Sequence, residues 1–365
     1  MGGGFDPGGG VILARPARAM AAWAAALLLA GCADIQPQVA PPTAAADRQF
    51  EQDALLDRLR EQDLRVATVA YRIVTANVAL CSETGPQTGM VLHSALQYGP
   101  RLRAAARRAF GLGDRPAIEV IVPGGPADRA GLSPGDVLIA VGGEALPDPD
   151  HGRASDDDHS PASYAPVEEA LGRLDAALAR GEAQVTVRRG AQTVTVALGS
   201  KVGCAYDAQV LPSKEMNASA DGRHVFVTTA LLRYAVKDET LAVILGHEFA
   251  HDVLHHRQRL DRDGFARAFL GDLGSTHKSL ITAEEEADYA GLYLAARAGY
   301  DISGAPEFWR QFAADYGDAW YVRWSHPGSL ERAANLAAAR DEILQKIRAG
   351  QPLVPTPARL PAQPG

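Results

Sequence analysis

Two histidines separated by three residues form the clearest chemical pattern in the chain. His247 and His251 enclose Glu248 in an H-E-x-x-H sequence, and the stretch 240–256 around them has the composition of a helix. Positions i and i+4 lie on one face of a helix, so both imidazoles can bind the same metal ion. Glu248 lies one residue further round, close enough to deprotonate a water molecule held there. The pattern predicts zinc-dependent hydrolysis of peptides.

An acidic segment downstream offers the third protein ligand that a catalytic zinc ion needs. Thr282 and Glu285 have the spacing of a capping box, which predicts a helix start. Glu284 and Asp288 then lie on one face, where one carboxylate can bind zinc while the other accepts the spare N–H of a ligand histidine. Alternatively, the acidic residues only favour the positive end of the helix dipole. That explains Glu285 and Glu286, but not the Glu284–Asp288 pair.

The residues around these motifs resemble the gluzincin peptidases of the HtpX and CAAX-prenyl-protease group. The matching segments, within about 210–347, are Asn217-Ala218, Asp221-Gly222, 225–228, Leu231-Leu232, 238–251, 284–288, 298–301, and His326-Pro327 with Arg332. The resemblance implies that His247, His251 and Glu284 bind one zinc ion per chain. It also implies that Glu248 is the general base and that Asp288 orients a ligand histidine. The closer analogy is with the periplasmic and lipoprotein members of the group, because the others are embedded in the membrane.

Four further residues have less specific assignments. His326 matches a histidine that lies near the metal in similar proteins, where it regulates access or stabilises the oxyanion; the alternative is a helix-capping turn. Tyr289 is a second candidate for the oxyanion donor. His256 matches a family histidine of unclear role, and we expect His255 at the solvated end of the helix.

Val225, Phe226 and Val227 resemble the edge strand along which these peptidases align their polypeptide substrates.

The function predicted from the sequence is therefore that of a zinc metalloendopeptidase. A competing class is an envelope chaperone or scaffold whose metal site is latent or inactive. The complete ligand set and Glu248 argue against a decayed site, but not against a latent one.

The middle of the chain has the character of a small β domain. Residues 117–122 alternate like a strand, and residues 124–138 with Gly142-Gly143 closely match the core of a PDZ domain of bacterial protease type. The other elements implied by this resemblance are a groove helix at 166–178 and closing strands at 184–188 and 193–198. The alternative is a β domain that only supports the protease.

A PDZ domain binds an extended peptide by adding it to the edge of its sheet. The groove is expected between the strand 118–122 and the helix 166–178. Gly111, Leu112 and Gly113 are the candidate carboxylate-binding loop. Envelope or outer-membrane proteins are the clients that the resemblance implies.

The amino-terminal residues predict export. Arg15 and Arg18 precede a short apolar run, 21–30, which is too short to span a bilayer as a mature helix. The segment 29–32 reads Leu-Ala-Gly-Cys, which resembles a bacterial lipobox with Cys32 as the lipidated residue; the alternative is a plain signal peptide. We expect a protein on the periplasmic side of the envelope, anchored to a membrane by its lipid.

The other two cysteines, Cys81 and Cys204, are expected to pair in an oxidising periplasm, or else to be two buried free thiols. Residues 148–160, rich in Asp and His, are either a solvated loop or a cation site. The net charge of −8 and the lack of a basic cluster argue against nucleic acid as a partner.

The predicted fold class is α+β: a mainly helical zincin-type metallopeptidase domain with a small edge-strand sheet, preceded by a β-rich PDZ domain and a helical segment. The predicted boundaries are 1–32 signal peptide with lipobox, 33–46 tether, 47–107 helical segment, 108–200 PDZ domain, 205–350 metallopeptidase domain and 351–365 disordered tail.

Overall fold

The computed structural model describes residues 44–149, 161–262, 273–317 and 328–356. The predicted signal peptide, Cys32, most of the tether, residues 150–160 and His326 lie outside these ranges. The chain from Ala44 onward forms one compact unit. None of the helices within the described ranges combines the length and the apolar character that a bilayer span requires.

Helices and strands are mixed along the chain, in agreement with the predicted α+β class. The helices are α1 Ala44–Ala76, α2 Pro100–Phe110, α3 Pro126–Arg129, α4 Ala165–Leu178, α5 Thr229–Tyr234, α6 Asp238–Val253, α7 His256–Arg262, α8 Leu273–Arg297, α9 Ala305–Tyr316 and α10 Ser329–Arg348. The strands are β1 Thr84–Gln87, β2 Met90–His93, β3 Ala117–Ile121, β4 Val137–Val141, β5 Glu144–Ala145, β6 Ala183–Arg189, β7 Gln192–Leu198, β8 Lys201–Cys204, β9 Asp207–Leu211, β10 Ala218–Ala220 and β11 His224–Thr228.

The PDZ-like region is built on a sheet of order β2-β3-β4-β6-β7, with β5 paired to β4. Helix α4 packs on this sheet, and Val167, Ala170 and Leu174 share an apolar cluster with Leu92 of β2. The predicted groove helix and closing strands are therefore confirmed to within one residue at each end. The predicted start at residue 108 is wrong, because β2 precedes it and pairs with β3.

The predicted peptide groove also needs correction. Strand β3 is bonded to β2 on one side and to β4 on the other, so it has no edge for an added peptide. Within the described part of the sheet, the outer strands are β2 and β7, and β2 is the one next to β3. In the Gly111–Gly113 loop Gly111 is exposed, but the other two residues are engaged by the fold. Leu112 is buried among Leu56 and Phe110, and the Gly113 carbonyl accepts the Ala95 amide proton just past the end of β2.

A second sheet, of order β10-β11-β9, lies beside the H-E-x-x-H helix. The prediction that Val225–Val227 form an edge strand is wrong. These residues belong to β11, which is antiparallel to β10 and parallel to β9, and Val225 and Val227 are fully buried. The edge nearest α6 belongs to β10, whose short Ala-Ser-Ala sequence gives little sign of a strand.

Helix α1 joins the two sheets and the helical region. Leu56 packs under α2, whereas Val66, Val69 and Ile73 belong to the main core with α6 and α8. The predicted helical segment is thus partly confirmed, although it does not pack as a separate lead-in. The predicted disulfide is confirmed: Cys81, just beyond α1, is bonded to Cys204 of β8.

The predicted disordered tail begins too early. Residues 351–356 lie against α8 and α10, where the carbonyl of Leu353 accepts from Arg297 and that of Val354 accepts from Lys346. Thr356 donates its amide proton to the Tyr289 hydroxyl. The ordered structure therefore extends at least to Thr356.

A buried carboxyl pair lies where α1 meets the PDZ-like sheet. Asp63 of α1 shares a hydrogen bond with Glu119 of β3, which is only 4% exposed. Burial raises the pKa of Asp63 to about 9, with the neighbouring Glu119 adding to the rise. Burial raises the pKa of Glu119 to about 7, although the positive charge of Arg60 opposes the increase. The folded protein thus keeps protons here that the unfolded chain releases near pH 4.

This pair makes the stability of the fold pH-dependent. Since the folded state binds more protons than the unfolded state, the unfolding free energy should fall as pH rises from the ordinary values of 3.8 and 4.5 towards 9. We predict that Glu119→Gln reduces the loss of stability between pH 5 and pH 8, measured by urea unfolding. Glu144→Gln, at an exposed position of the same sheet, is the control. Equal losses in both variants would contradict the prediction.

Candidate metal centre

The site forms where α6 crosses α8. Helix α6 is buried along nearly its whole length, as expected of a helix that is apolar on most sides. Asp238 and Glu239 in its first turn favour the positive end of its dipole. Helix α8 lies against it so closely that a Cβ atom on Gly291 would lie 2.5 Å from the His247 amide nitrogen. Glycine is therefore required at the crossing.

Three side chains converge on one point at this crossing. The Nε2 atoms of His247 and His251 are 3.1 Å apart. Glu284 of α8 places Oε2 3.3 Å from His247 Nε2 and Oε1 3.4 Å from His251 Nε2. A tetrahedral zinc ion with bonds of about 2.0–2.1 Å would hold its donors about 3.3 Å apart. Among the described residues, this is the group of His, Cys, Asp and Glu side chains that could hold a metal ion.

His247 is held in position by a buried ion pair. Its Nδ1 atom lies 2.9 Å from Asp288 Oδ1, one turn beyond Glu284 on α8. Arg332 of α10 donates to Asp288 Oδ2 at 2.9 Å and to Oδ1 at 2.6 Å, and its guanidinium stacks 3.7 Å over the Trp309 ring. Burial alone would raise the pKa of Asp288, but Arg332 and His247 lower it below its ordinary value. The ionised Asp288 keeps the proton of His247 on Nδ1 and directs Nε2 to the site.

His251 is contacted on its far side by another histidine. His256 of α7 places Nδ1 2.8 Å from Nδ1 of His251 and Nε2 3.2 Å from Glu286 Oε2. Arg259 donates to the same Glu286 oxygen at 2.8 Å. His256 and Glu286 are both buried, whereas His255, predicted at the solvated end of the helix, is half-buried with Nε2 2.8 Å from the Ser82 hydroxyl.

Glu248, the predicted general base, lies buried beside the candidate metal ligands. It follows His247 on α6 and is only 9% exposed. Burial raises the pKa of its carboxyl to about 7, while the charges of His247 and Arg332 limit the rise. A base whose pKa lies near the working pH can both accept and return a proton.

Several sequence-based assignments change in the structure. Helix α8 begins at Leu273, so the spacing of Thr282 and Glu285 is that of neighbours inside a helix and not of a capping box. Tyr289 donates its hydroxyl proton to Glu342 at 2.8 Å, so it is committed elsewhere and does not serve as the oxyanion donor here. Glu286 is buried against His256, which the helix dipole does not explain. The feature of the sequence that could have revealed this position of Glu286 is the family histidine His256, which needs a polar partner such as a carboxylate.

Two family models match the chain. Residues 118–154 match the model described as PDZ domain, and residues 182–269 match the model described as Peptidase family M48. The second match includes His247 and His251 but ends before Glu284. The assignment of Glu284 as third ligand therefore depends on the geometry of the crossing.

The curated relatives are mitochondrial metalloendopeptidases. Metalloendopeptidase OMA1, mitochondrial, of Bos taurus is 32% identical over 38% of this chain and 33% of that protein. Mitochondrial metalloendopeptidase OMA1 of Arabidopsis thaliana is 32% identical over 35% of this chain and 31% of that protein. The protein of the same name in Schizosaccharomyces pombe (strain 972 / ATCC 24843) is 30% identical over 30% of this chain and 39% of that protein. The chain thus spans about a third of the length of these relatives.

Two solved structures resemble part of the chain. The HtrA3 PDZ domain bound to a phage-derived ligand is 17% identical, with a TM-score of 0.23 over 33% of this chain and 89% of that chain. The HtrA-type protease AlgW with a decapeptide is 20% identical, with a TM-score of 0.19 over 33% of this chain and 30% of that chain. These scores are too low to carry an argument. The family matches and the curated relatives support a metal-dependent endopeptidase with a PDZ domain, and His247, His251 and Glu284 form its possible metal site.

The Asp288–Arg332 pair gives a direct test of the site. In Arg332→Lys the charge is kept, but the two parallel hydrogen bonds and the stacking on Trp309 are lost. We predict a zinc affinity about 10–100-fold weaker, measured by chelator competition. Arg340→Lys is the control, because Arg340 lies on the same helix and pairs with Asp341 at the surface. An unchanged zinc affinity in Arg332→Lys would contradict the prediction and would mean that Asp288 positions His247 without the paired hydrogen bonds from Arg332.

Proposed function

We propose that this chain is a zinc-dependent endopeptidase of the bacterial cell envelope that hydrolyses misfolded or misassembled proteins. The observation that carries the proposal is the convergence of His247, His251 and Glu284 at 3.1–3.4 Å. Two imidazoles and one carboxylate are a donor set of catalytic zinc sites, which leave the fourth position open.

The roles of the surrounding residues follow from their positions. When bound, zinc supplies Lewis acidity: it lowers the pKa of a water molecule and polarises the substrate carbonyl. Glu248 takes the proton of that water and then returns it to the leaving amine. Asp288 and Arg332 keep His247 in the tautomer that offers Nε2 to the site. His326, which lies outside the described residues, remains the candidate for oxyanion stabilisation.

Strand β10 is the element along which a substrate would align. Asn217 and Asp221, at either end of it, make backbone hydrogen bonds to Thr228 and His224 of β11. Because bonded pairs alternate in an antiparallel ladder, the peptide groups of Ala218 and Ala220 point away from β11. An extended substrate can therefore add to β10 beside α6.

The PDZ-like domain would supply a second peptide-binding edge. Strand β2 ends its sheet within the described residues, and its Leu92 shares an apolar cluster with Val167 and Leu174 of α4. A peptide added along β2 would lie next to α4 and place alternate side chains over this cluster. We propose that this edge, and not β3, recruits envelope or outer-membrane clients.

The envelope location is supported by two features. The lipobox-like residues 29–32 end in Cys32, which would carry the lipid anchor of a lipoprotein. The Cys81–Cys204 disulfide is the kind of bond that persists in an oxidising compartment such as the periplasm. We therefore propose that this chain is most similar to the lipoprotein members of the HtpX and CAAX-prenyl-protease group.

Removal of the base separates hydrolysis from metal binding. In Glu248→Gln the side chain keeps its size but cannot take a proton. We predict that kcat/KM for an unfolded protein substrate falls about 10²–10⁴-fold while one zinc ion per chain is retained. Glu285→Gln, which changes an exposed carboxylate of α8, is the control. A zinc-loaded, unmodified protein that cleaves no substrate would favour the chaperone or scaffold function instead.

The substrate strand can be tested with a proline. Ala220→Pro removes an outward-pointing N–H but leaves the ladder to β11 in place. We predict that kcat/KM falls about 10-fold through the loss of one or more hydrogen bonds to the substrate, with zinc content unchanged. Ala220→Gly, which keeps the N–H, is the control for the loss of the methyl group. If both variants cleave equally well, substrate does not bind along β10.

A further inference from the structure

We propose that His256 is a positioning residue for the ligand His251, acting as a relay to the carboxylate of Glu286. The inference rests on the proposed zinc site, but it concerns how that site is held and does not depend on hydrolysis. A ligand histidine usually gives its spare N–H directly to a carboxylate, a carbonyl or water. His247 follows that rule through Asp288. The Nδ1 atom of His251 instead faces the imidazole of His256.

The hydrogen bonds along the relay can be arranged in one consistent way. Nε2 of His256 lies 3.2 Å from Glu286 Oε2, so it carries the proton and donates to the carboxylate. Nδ1 of the same ring is then an acceptor. Because it lies 2.8 Å from His251 Nδ1, the latter must be the donor. His251 therefore presents an unprotonated Nε2 to His247 and Glu284, which is the tautomer that binds a metal ion.

The far end of the relay is fixed by charge. Arg259 donates to Glu286 Oε2 at 2.8 Å, and Glu286 lies on α8 between Glu284 and Asp288, two residues from each. The Glu286 carboxylate thus accepts hydrogen bonds from both His256 and Arg259. Arg259 on α7 thus corresponds to Arg332 on α10. His247 contacts Asp288 directly, and His251 reaches Glu286 through His256. Each of these two acidic residues of α8 in turn pairs with an arginine.

The chain is bent sharply to bring His256 into place. His255, between α6 and α7, has φ of 51°, a left-handed value that no other non-glycine residue among those described adopts. Such a conformation is unfavourable for a residue with a side chain and persists only where the surroundings impose it. Here the hydroxyl of Ser82, next to the Cys81–Cys204 disulfide, lies 2.8 Å from His255 Nε2. The strained turn returns the chain towards α6, so that His256 faces His251 five residues earlier.

The relay is tested by zinc affinity, measured by chelator competition, together with thermal unfolding of the zinc-free protein in EDTA. His256→Leu removes both nitrogens and should weaken zinc binding about 10–100-fold. His256→Asn offers an amide oxygen near the position of Nδ1 and should recover at least part of that loss. Glu286→Gln leaves His256 in place and should weaken binding about 10-fold, at the lower end of the same range. His224→Leu is the control, since His224 pairs with Asp207 of β9 and not with a residue of the relay.

The outcomes separate the relay from a purely structural role. If His256→Leu and Glu286→Gln lower the melting temperature of the zinc-free protein but leave zinc affinity unchanged, the relay is wrong. Should His256→Leu fail to fold, the Asn and Gln variants decide by the same criterion. Because the measurement is zinc affinity, the relay can hold in a chain that cleaves no peptide. An unmodified protein that binds no zinc would overturn both the relay and the proposed function.

Discussion

The backbones of α6 and α8 meet at Gly246 and Gly291, and the metal centre depends on this contact. A Cβ atom on Gly291 would lie 2.5 Å from the amide nitrogen of His247 and 2.6 Å from the carbonyl carbon of Gly246. Side chains at both positions would push the helices apart. Since His247 follows one glycine directly and Asp288 precedes the other by three residues, a wider crossing would separate the ligand from its support.

The close crossing also explains how the supports are distributed. Helix α8 supplies a ligand and both acidic partners, Glu284, Asp288 and Glu286, over little more than one turn. Three carboxylates so close together repel one another unless positive charge is brought to them. Arg332 and Arg259 provide it from α10 and α7. The site is thus an arrangement of four helices, although its candidate metal ligands come from only two.

The sequence predicted the parts of the site that are local in the chain. The spacing of His247 and His251, and of Glu284 and Asp288, is a property of single helices and survives in any fold. What could not be predicted depends on how separate elements pair. Strand β11 has the apolar character of a strand, but whether it is an edge depends on β9 and β10. For the same reason the sequence predicts β3 as the groove strand, since nothing local shows that β2 pairs outside it.

The position of the PDZ-like domain relative to the metal centre also depends on contacts between separate elements. Arg223, at the tip of the β10–β11 hairpin, lies 3.9 Å from Asp175 of α4. An ion pair between such exposed side chains contributes about 0–1 kcal/mol. Helix α1, in contrast, buries Leu56 at the PDZ-like end and Val66, Val69 and Ile73 against the protease core. Each of these contributes about 1.5–3 kcal/mol. The relative position of the two proposed peptide-binding edges is therefore set by α1 and not by the contact between α4 and the hairpin.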